Sequence, residues 1–319
     1  ARIKTAAFVM QAPEALALHE LELDAAGESD LIVDIDWSGI STGTEKLLWT
    51  GRMPMFPGMG YPLVPGYESV GRVVQAGPKA QHKVGATVFV PGARCFGPVR
   101  GLFGGAAARL VVGDERVYDI DAALGEHAVL LALAATAYHA VSCGGKKSPI
   151  SAPDLIIGHG VLGRLLARLT VAAGLPPPTV WELDATRSEG ARGYEVISPD
   201  ADTRRDYRAV YDVSGDVRII DKAMPHLAKG GEIVLAGFYA EPLAFNFAPA
   251  FMREAHIRAA AEWQRPDMLA VRQLAQEGRL DLSGLITHRE RAEHAAGAYR
   301  TAFSDAGCLK MVLDWKGCQ

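Results

Sequence analysis

The chain has 319 residues, a length that fits about two domains, each able to bury its own core. Apolar residues make up 49% and charged residues 22%, with 34 Gly and 18 Pro, which describes a loop-rich globular sequence and excludes disordered, collagenous and coiled-coil classes. Thirty-three Lys plus Arg against 37 Asp plus Glu leave a net charge of −4 without any long run of like charge, which argues against nucleic acid or a polybasic membrane anchor.

Short apolar runs cut by Gly and Pro dominate the first 124 residues, at 31–37, 68–74 and 86–90, and predict an antiparallel, barrel-like β domain. The segment 49–65 holds four Pro, three Gly and three Met and is expected to be irregular. Residues 125–141 are Ala/Leu-rich and predict a buried helix joining two domains. Their most apolar part, 128–135, is shorter than the roughly 18 to 20 residues that cross a bilayer, and the N-terminus lacks a charged-then-apolar layout. A cytoplasmic chain without a transmembrane segment is therefore expected.

A different pattern follows. Strands at 154–157, 179–183, 194–197, 209–213, 232–236 and 257–263 alternate with helices, the first at 161–173 and closed by Gly174, so the spacing predicts a parallel, doubly wound sheet. A helix over 292–302 and a strand over 310–315 are too little for a domain and are expected to rejoin the first one. The expected division is 1–124 plus 281–319 as a catalytic and substrate domain, and 125–280 as a dinucleotide domain. Cys95, Cys143, Cys308 and Cys318 show no CxxC or metal spacing and are expected to be free thiols.

Directly after the 154–157 strand comes GHGVLG, in which Gly158, Gly160 and Gly163 satisfy GxGxxG, and Val161 and Leu162 open a helix. Gly158 allows the tight turn, Gly160 lets backbone approach a pyrophosphate, Gly163 permits close helix–strand packing, and the helix N-terminus supplies the anion site. Glu182 lies 19 residues past Gly163, where an acid accepts the adenosine ribose hydroxyls and repels a 2′-phosphate; NAD is the expected cofactor. Asp184 is the rival acid, and Arg187 and Arg192 keep NADP open. His159 is read as a tolerated polar residue, with charge complementarity as the other reading.

The motifs GISTGTE (39–45), PGYESVG (65–71), TAYHAV (136–141) and VYDVSG (210–215), in this domain order, resemble the medium-chain dehydrogenase/reductase superfamily over essentially the whole chain. The resemblance implies a GroES-like catalytic domain, a Rossmann domain with Arg187, Val213, Ser214 and Gly237 also at the cofactor, and a homodimer among its partners. The run 38–74 further resembles the branch that oxidises hydroxyethyl bacteriochlorophyllides. The implied reaction is NAD-dependent oxidation of the 1-hydroxyethyl group of a bacteriochlorophyllide-type macrocycle to acetyl. The rivals are a zinc-free quinone or enoyl reductase of the same superfamily using NADPH and, from another class, a non-catalytic NAD(H) sensor or pigment carrier.

Zinc-dependent members of that superfamily carry Cys in a GxC motif and His in GHExxG, since Zn²⁺ takes soft S and N ligands. Ser41 and Tyr67 stand at those positions, only Glu68 is kept, and Cys95 is alone where the family has a four-cysteine lobe. A zinc-independent enzyme is expected. Tyr67, Ser41 and Thr42 are then candidates to carry the alcohol proton, against the alternatives that Tyr67 fills space and the hydroxyls serve a turn. Glu68 is expected to pair with Lys310, with action as a catalytic base as the other reading. His139 is read either as a group near the nicotinamide or as a buried structural histidine. Trp49, Met53, Met55, Phe56, Met59 and Tyr61 offer an adaptable apolar wall for a flat macrocycle, and Arg52 a partner for its propionate. The competing reading packs them in a core or a subunit interface.

Overall fold

The computed structural model describes residues 2–142 and 151–319; Cys143 lies outside them. In chain order the first strands are β1 (Lys4–Ala12), β2 (Ala15–Glu22) and β3 (Asp30–Ile40), followed by α1 (Thr44–Thr50), β4 (Leu63–Val64), β5 (Ser69–Ala76), β6 (Thr87–Val90), β7 (Arg100–Gly101), β8 (Arg109–Gly113) and β9 (Tyr118–Asp119). After α2 (Leu131–Ser142) come β10 (Leu155–Ile157), α3 (Val161–Ala172), β11 (Thr179–Trp181), β12 (Glu195–Ile197) and β13 (Tyr207–Asp212). Then follow α4 (Ile219–Ala223), β14 (Leu227–Leu235), α5 (Phe247–Arg253), β15 (His256–Ala259), α6 (Arg265–Gln276), β16 (Ile286–Arg291), α7 (Ala298–Ser304) and β17 (Lys310–Asp314). Two compact units emerge: Ala1–Ala132 with Leu285–Gln319, and Leu133–Gly284.

In the first unit, β3 is the organising strand. It pairs antiparallel with β5 along its length, with β8 at its start and with β17 at its end. The sheet order is β16-β17-β3-β5-β6-β9, and a second sheet runs β2-β1-β4-β7. Two pairings depart from the antiparallel expectation: β16 with β17 and β4 with β7 are parallel. The returning C-terminal segment is part of this core, because Phe8 of β1 meets Tyr299 edge-on at 5.2 Å and Trp315 at 5.6 Å. Trp315 is fully buried, and its indole N–H donates to Ser38 Oγ at 2.8 Å, which satisfies the one polar atom that burial would otherwise strand.

Two expectations need correction here. The irregular segment is not irregular throughout, since α1 runs to Thr50 and Leu63–Val64 form β4. The helix expected over 125–141 is a 3-10 stretch, Ala122–Leu130, followed by α2; Gly125, with φ 55° and ψ −136°, breaks it. Ala122–Ser142 is long and apolar enough by composition to cross a membrane, but the break at Gly125 leaves only twelve α-helical residues, and 56% of its apolar window is buried inside the chain.

The second unit holds six strands in the order β12-β11-β10-β13-β14-β15, all parallel. Their apolar residues, among them Leu155, Ile157, Val210 and Ile233, are buried, as near-continuous hydrophobic runs require when both faces of a sheet are covered. The chain leaves β10 toward β11 on one side and returns to β13 on the other, so the strand order reverses between β10 and β13. Ligands of such sheets bind outside the carboxyl ends of the strands at this switch.

Candidate active site

The loops at the switch point are built for close backbone approach. Gly158 has φ 112°, a conformation L side chains avoid. A Cβ on Gly163 would overlap the Gly158 carbonyl, so this glycine is what lets α3 pack against the turn. At Gly160 the nearest atom to an added Cβ is a guanidinium nitrogen of Arg187, 3.7 Å away. Gly160 is the N-cap of α3 and offers no side chain to its first-turn amides, among them those of Val161 and Leu162. Across the switch, Val213 and Ser214 follow β13, and Gly237 follows β14 at 3.1 Å from the Gly215 nitrogen, measured from an added Cβ.

Glu182 completes this loop. One carboxylate oxygen accepts from the His159 amide at 3.0 Å and the other from the Asp184 amide at 2.9 Å, so the acid is fixed beside the glycines. Asp184 is occupied differently: its carboxylate caps a short turn through Thr186 N and Oγ1. Arg192 is bound to Asp281 and Ser283. His159 is fully buried; its Nδ1 donates to the Arg187 carbonyl and its Nε2 accepts from the Tyr194 hydroxyl at 2.7 Å. Burial pushes this imidazole down to about 4, which favours its neutral form, and through its two ring contacts His159 braces the loop. Sequence reading also missed Asp212, which takes the Ser214 hydroxyl at 2.6 Å and the Tyr239 hydroxyl and so ties the ends of β13 and β14 together.

In the first unit the turn between β3 and α1 meets the start of β5. The Tyr67 hydroxyl donates to Ser41 Oγ at 2.5 Å, with Thr44 as a further partner; Thr42 is half-buried in the same turn. Burial first, and the Glu68 charge second, push the Tyr67 phenol above its ordinary value, so it is held neutral. Its ring lies edge-on to Phe103, 5.8 Å away, and Phe103 is 37% exposed. Glu68 is fully buried with both oxygens on Lys310 Nζ, at 2.9 and 2.8 Å, and Lys310 also donates to the Ile40 carbonyl at 3.1 Å. A Cβ on Gly39 would overlap the Glu68 carboxylate, which explains the glycine there. The expected pairing of Glu68 with Lys310 is present, and both groups are buried. His139 is likewise buried, its Nδ1 2.7 Å from Asp267.

Residues 27–122 match the alcohol dehydrogenase GroES-like domain. The chain is 57% identical over 319 residues to the 2-desacetyl-2-hydroxyethyl bacteriochlorophyllide A dehydrogenase of Cereibacter sphaeroides, covering 98% of this chain and 99% of that protein. It is also 57% identical over 315 residues to the protein of the same name from Rhodobacter capsulatus, with 98% and 99% covered. The chain belongs to the medium-chain dehydrogenase family. Among solved structures, the acetophenone reductase of Geotrichum candidum in complex with NAD superposes with a TM-score of 0.81 at 18% identity, covering 98% of this chain and 97% of that one, and shares the fold.

Zinc is a common catalytic metal of medium-chain dehydrogenases, and the residues here do not fit it. Ser41 and Tyr67 offer two hydroxyls bonded to each other, the phenol is held protonated, and Glu68 is committed to Lys310. None of these is the thiolate or neutral imidazole that a tetrahedral Zn²⁺ site takes. Among the described residues no three His, Cys, Asp or Glu side chains come together as ligands.

The segment expected to face substrate divides in two. Met53 is buried with Met10, Leu48, Leu63 and Leu102 in a small satellite core, and Trp49, Phe56, Met59 and Tyr61 pack half-buried against it. Trp49 also meets Phe303 at 5.6 Å, and the Tyr61 hydroxyl donates to the Leu48 carbonyl. Of the segment's Met and aromatic side chains, Met55 is strongly exposed, at 82%. Arg52 is exposed at the turn after α1. Arg100, which sequence reading passed over, lies against Gly60 and donates to the Tyr61 carbonyl at 3.3 Å.

Proposed function

We propose that this medium-chain dehydrogenase oxidises the 1-hydroxyethyl group of a bacteriochlorophyllide-type macrocycle to an acetyl group with NAD⁺, without catalytic zinc. The observation that carries the substrate is the near-full-length 57% identity to two proteins named for that dehydrogenation. The glycine turn fits a dinucleotide: Gly160 is open where a pyrophosphate would lie, α3 begins there with no side-chain cap, and Arg187 stands beside it. Glu182, already anchored to two amides, retains lone pairs for ribose hydroxyls, which supports NAD over NADP. When bound, the nicotinamide ring supplies the hydride acceptor.

The carbinol proton is left to the protein. A neutral phenol that already donates to Ser41 Oγ acts as a conduit: Tyr67 accepts the substrate proton while passing its own to Ser41 Oγ, and Ser41 in the same step releases its own hydroxyl proton toward Thr42 and solvent. Positive charge that develops as hydride leaves is spread over the conjugated macrocycle, which lessens the need for a Lewis acid. Met55, Phe56 and Met59 with the exposed part of Phe103 would lie against the ring system, and Arg52 and Arg100 are cations suited to its peripheral carboxylate. A homodimer is supported by exposed Phe247, Phe251 and Met252 on α5, beside β15, which forms the edge of its sheet.

The test is turnover of hydroxyethyl bacteriochlorophyllide with NAD⁺ and with NADP⁺, followed by elemental analysis. Acetyl product with NAD⁺ preferred, unaffected by chelators, is expected. No turnover of the pigment, or one tightly bound zinc per chain that activity requires, would overturn the proposal.

A further inference from the structure

Beneath the Tyr67–Ser41 pair lies a carboxyl group that the reaction above does not use. Glu45, in the first turn of α1, is 1% exposed; its Oε2 accepts from the Ser41 backbone amide, and its Oε1 makes no hydrogen bond to the described residues. The groups that face it are Glu68 and Tyr67 from the β4–β5 turn, Lys310 from β17 and Tyr299 from α7. This buried cluster contains two carboxyls and one ammonium, and Lys310 spends its charge on both oxygens of Glu68. A carboxylate at Glu45 would be a buried charge without a cation, beside another carboxylate. Two hydrogen bonds therefore converge on one residue: Ser41 is gripped from behind through its amide by Glu45 and met in front through its hydroxyl by Tyr67.

We propose that Glu45 is a positioning residue for the hydroxyl pair, fixing the backbone of Ser41 so that its Oγ stands where the Tyr67 hydroxyl donates to it. The inference rests on the proposed function for its bearing on catalysis, but the coupling itself is a property of the folded protein. Burial, and after it the Glu68 charge against the relief from the Ser41 amide, push Glu45 up to about 8. With a folded value above the unfolded value of about 4.3, its stabilisation is fully present below about pH 4 and is lost as pH rises through 8.

Three variants of the full chain, E45Q, E45A and Y67F, with the doubles E45Q/Y67F and E45A/Y67F, decide the matter by urea unfolding and by turnover. Because Glu45 and Tyr67 act on opposite sides of one residue, the stability losses of E45A and Y67F are expected to be non-additive. Strict additivity in the E45A cycle overturns the proposal, and if E45A does not fold the pH dependence of E45Q decides it instead. E45Q keeps an acceptor for the Ser41 amide but cannot ionise, so its melting temperature is expected to stay level from pH 6 to 9 where the unmodified chain declines; parallel curves overturn the assignment. In turnover, E45A is expected to lower kcat about 10-fold or more with KM for NAD⁺ unchanged, and E45Q to rescue most of that loss. Equal kcat in E45A and the unmodified chain also overturns it. If the unmodified chain does not turn over the pigment, the proposed function fails, and the unfolding cycles still decide the role of Glu45.

Discussion

Replacing Lys310 by Met isolates the energetics of the buried ion pair. The methionine preserves the aliphatic stem and removes an ammonium that makes three hydrogen bonds at 1% exposure, two to Glu68 and one to the Ile40 carbonyl. Glu68, fully buried, then has no counter-charge and takes up a proton instead. Holding a carboxyl protonated at pH 7 against an ordinary value of about 4.3 costs about 4 kcal/mol, in line with the roughly 3–5 kcal/mol lost when one partner of a buried pair is removed. The same protonation costs only about 1 kcal/mol at pH 5, so the deficit must shrink as the solution is acidified. Urea unfolding followed by tryptophan fluorescence at both pH values measures this, with Trp315 buried in the same unit as a reporter. The double variant Lys310→Met with Glu68→Gln should recover about half or more of the loss, because no charge is left stranded. A deficit below about 1 kcal/mol at pH 7, or one of equal size at pH 5, would refute the view that the pair is a closed structural unit.

Three further outcomes are expected. Tyr67→Phe should lower kcat roughly 10²-fold with little change in KM, as loss of a positioned proton-transfer group does; a drop under about threefold would return Tyr67 to a packing role against Phe103. Gly163→Ala should abolish cofactor binding, or fold poorly, since its methyl overlaps the Gly158 carbonyl; NAD⁺ affinity measured by fluorescence quenching in a folded variant would contradict this if unchanged. Glu182→Gln should narrow the kcat/KM ratio of NAD⁺ to NADP⁺, because the charge that repels a 2′-phosphate is gone while the bonds to the His159 and Asp184 amides can be partly kept. An unchanged ratio would assign discrimination elsewhere, with Arg187 beside Gly160 the first residue to vary.

Much of the second unit was legible because its information is local. Parallel strands buried on both faces read as short apolar runs, and a GxGxxG turn is a sequence of consecutive backbone requirements at Gly158, Gly160 and Gly163. The first unit was less legible for a matching reason. β2 exposes nearly every residue and so carries no inward pattern to find. Glu45 looks like an ordinary first-turn acid of α1; it becomes a buried, uncompensated carboxyl only because Tyr299 and Lys310 return from the far end of the chain. Asp212 shows the same limit, since Tyr239 reaches it from the end of the next strand in the sheet.

The segment from Trp49 to Tyr61 makes the remaining difficulty physical. Met and aromatic side chains gain by burial wherever they go, so composition cannot say whether they bury against the chain or against a ligand. The fold separates them: Met53 is spent on the satellite core with Met10 and Leu48, whereas Met55, two residues on, stays out in solvent. A substitution at Met53 therefore tests stability, and one at Met55 tests binding. Met53→Ala should cost about 2–5 kcal/mol through the cavity it leaves, with KM for pigment unchanged in the folded fraction. Met55→Ala should leave unfolding within about 0.5 kcal/mol of the unmodified chain, as expected at an exposed position. If Met55→Ala also leaves KM for the pigment unchanged, the macrocycle does not lie against this segment, and Phe103 with Arg100 becomes the surface to vary next.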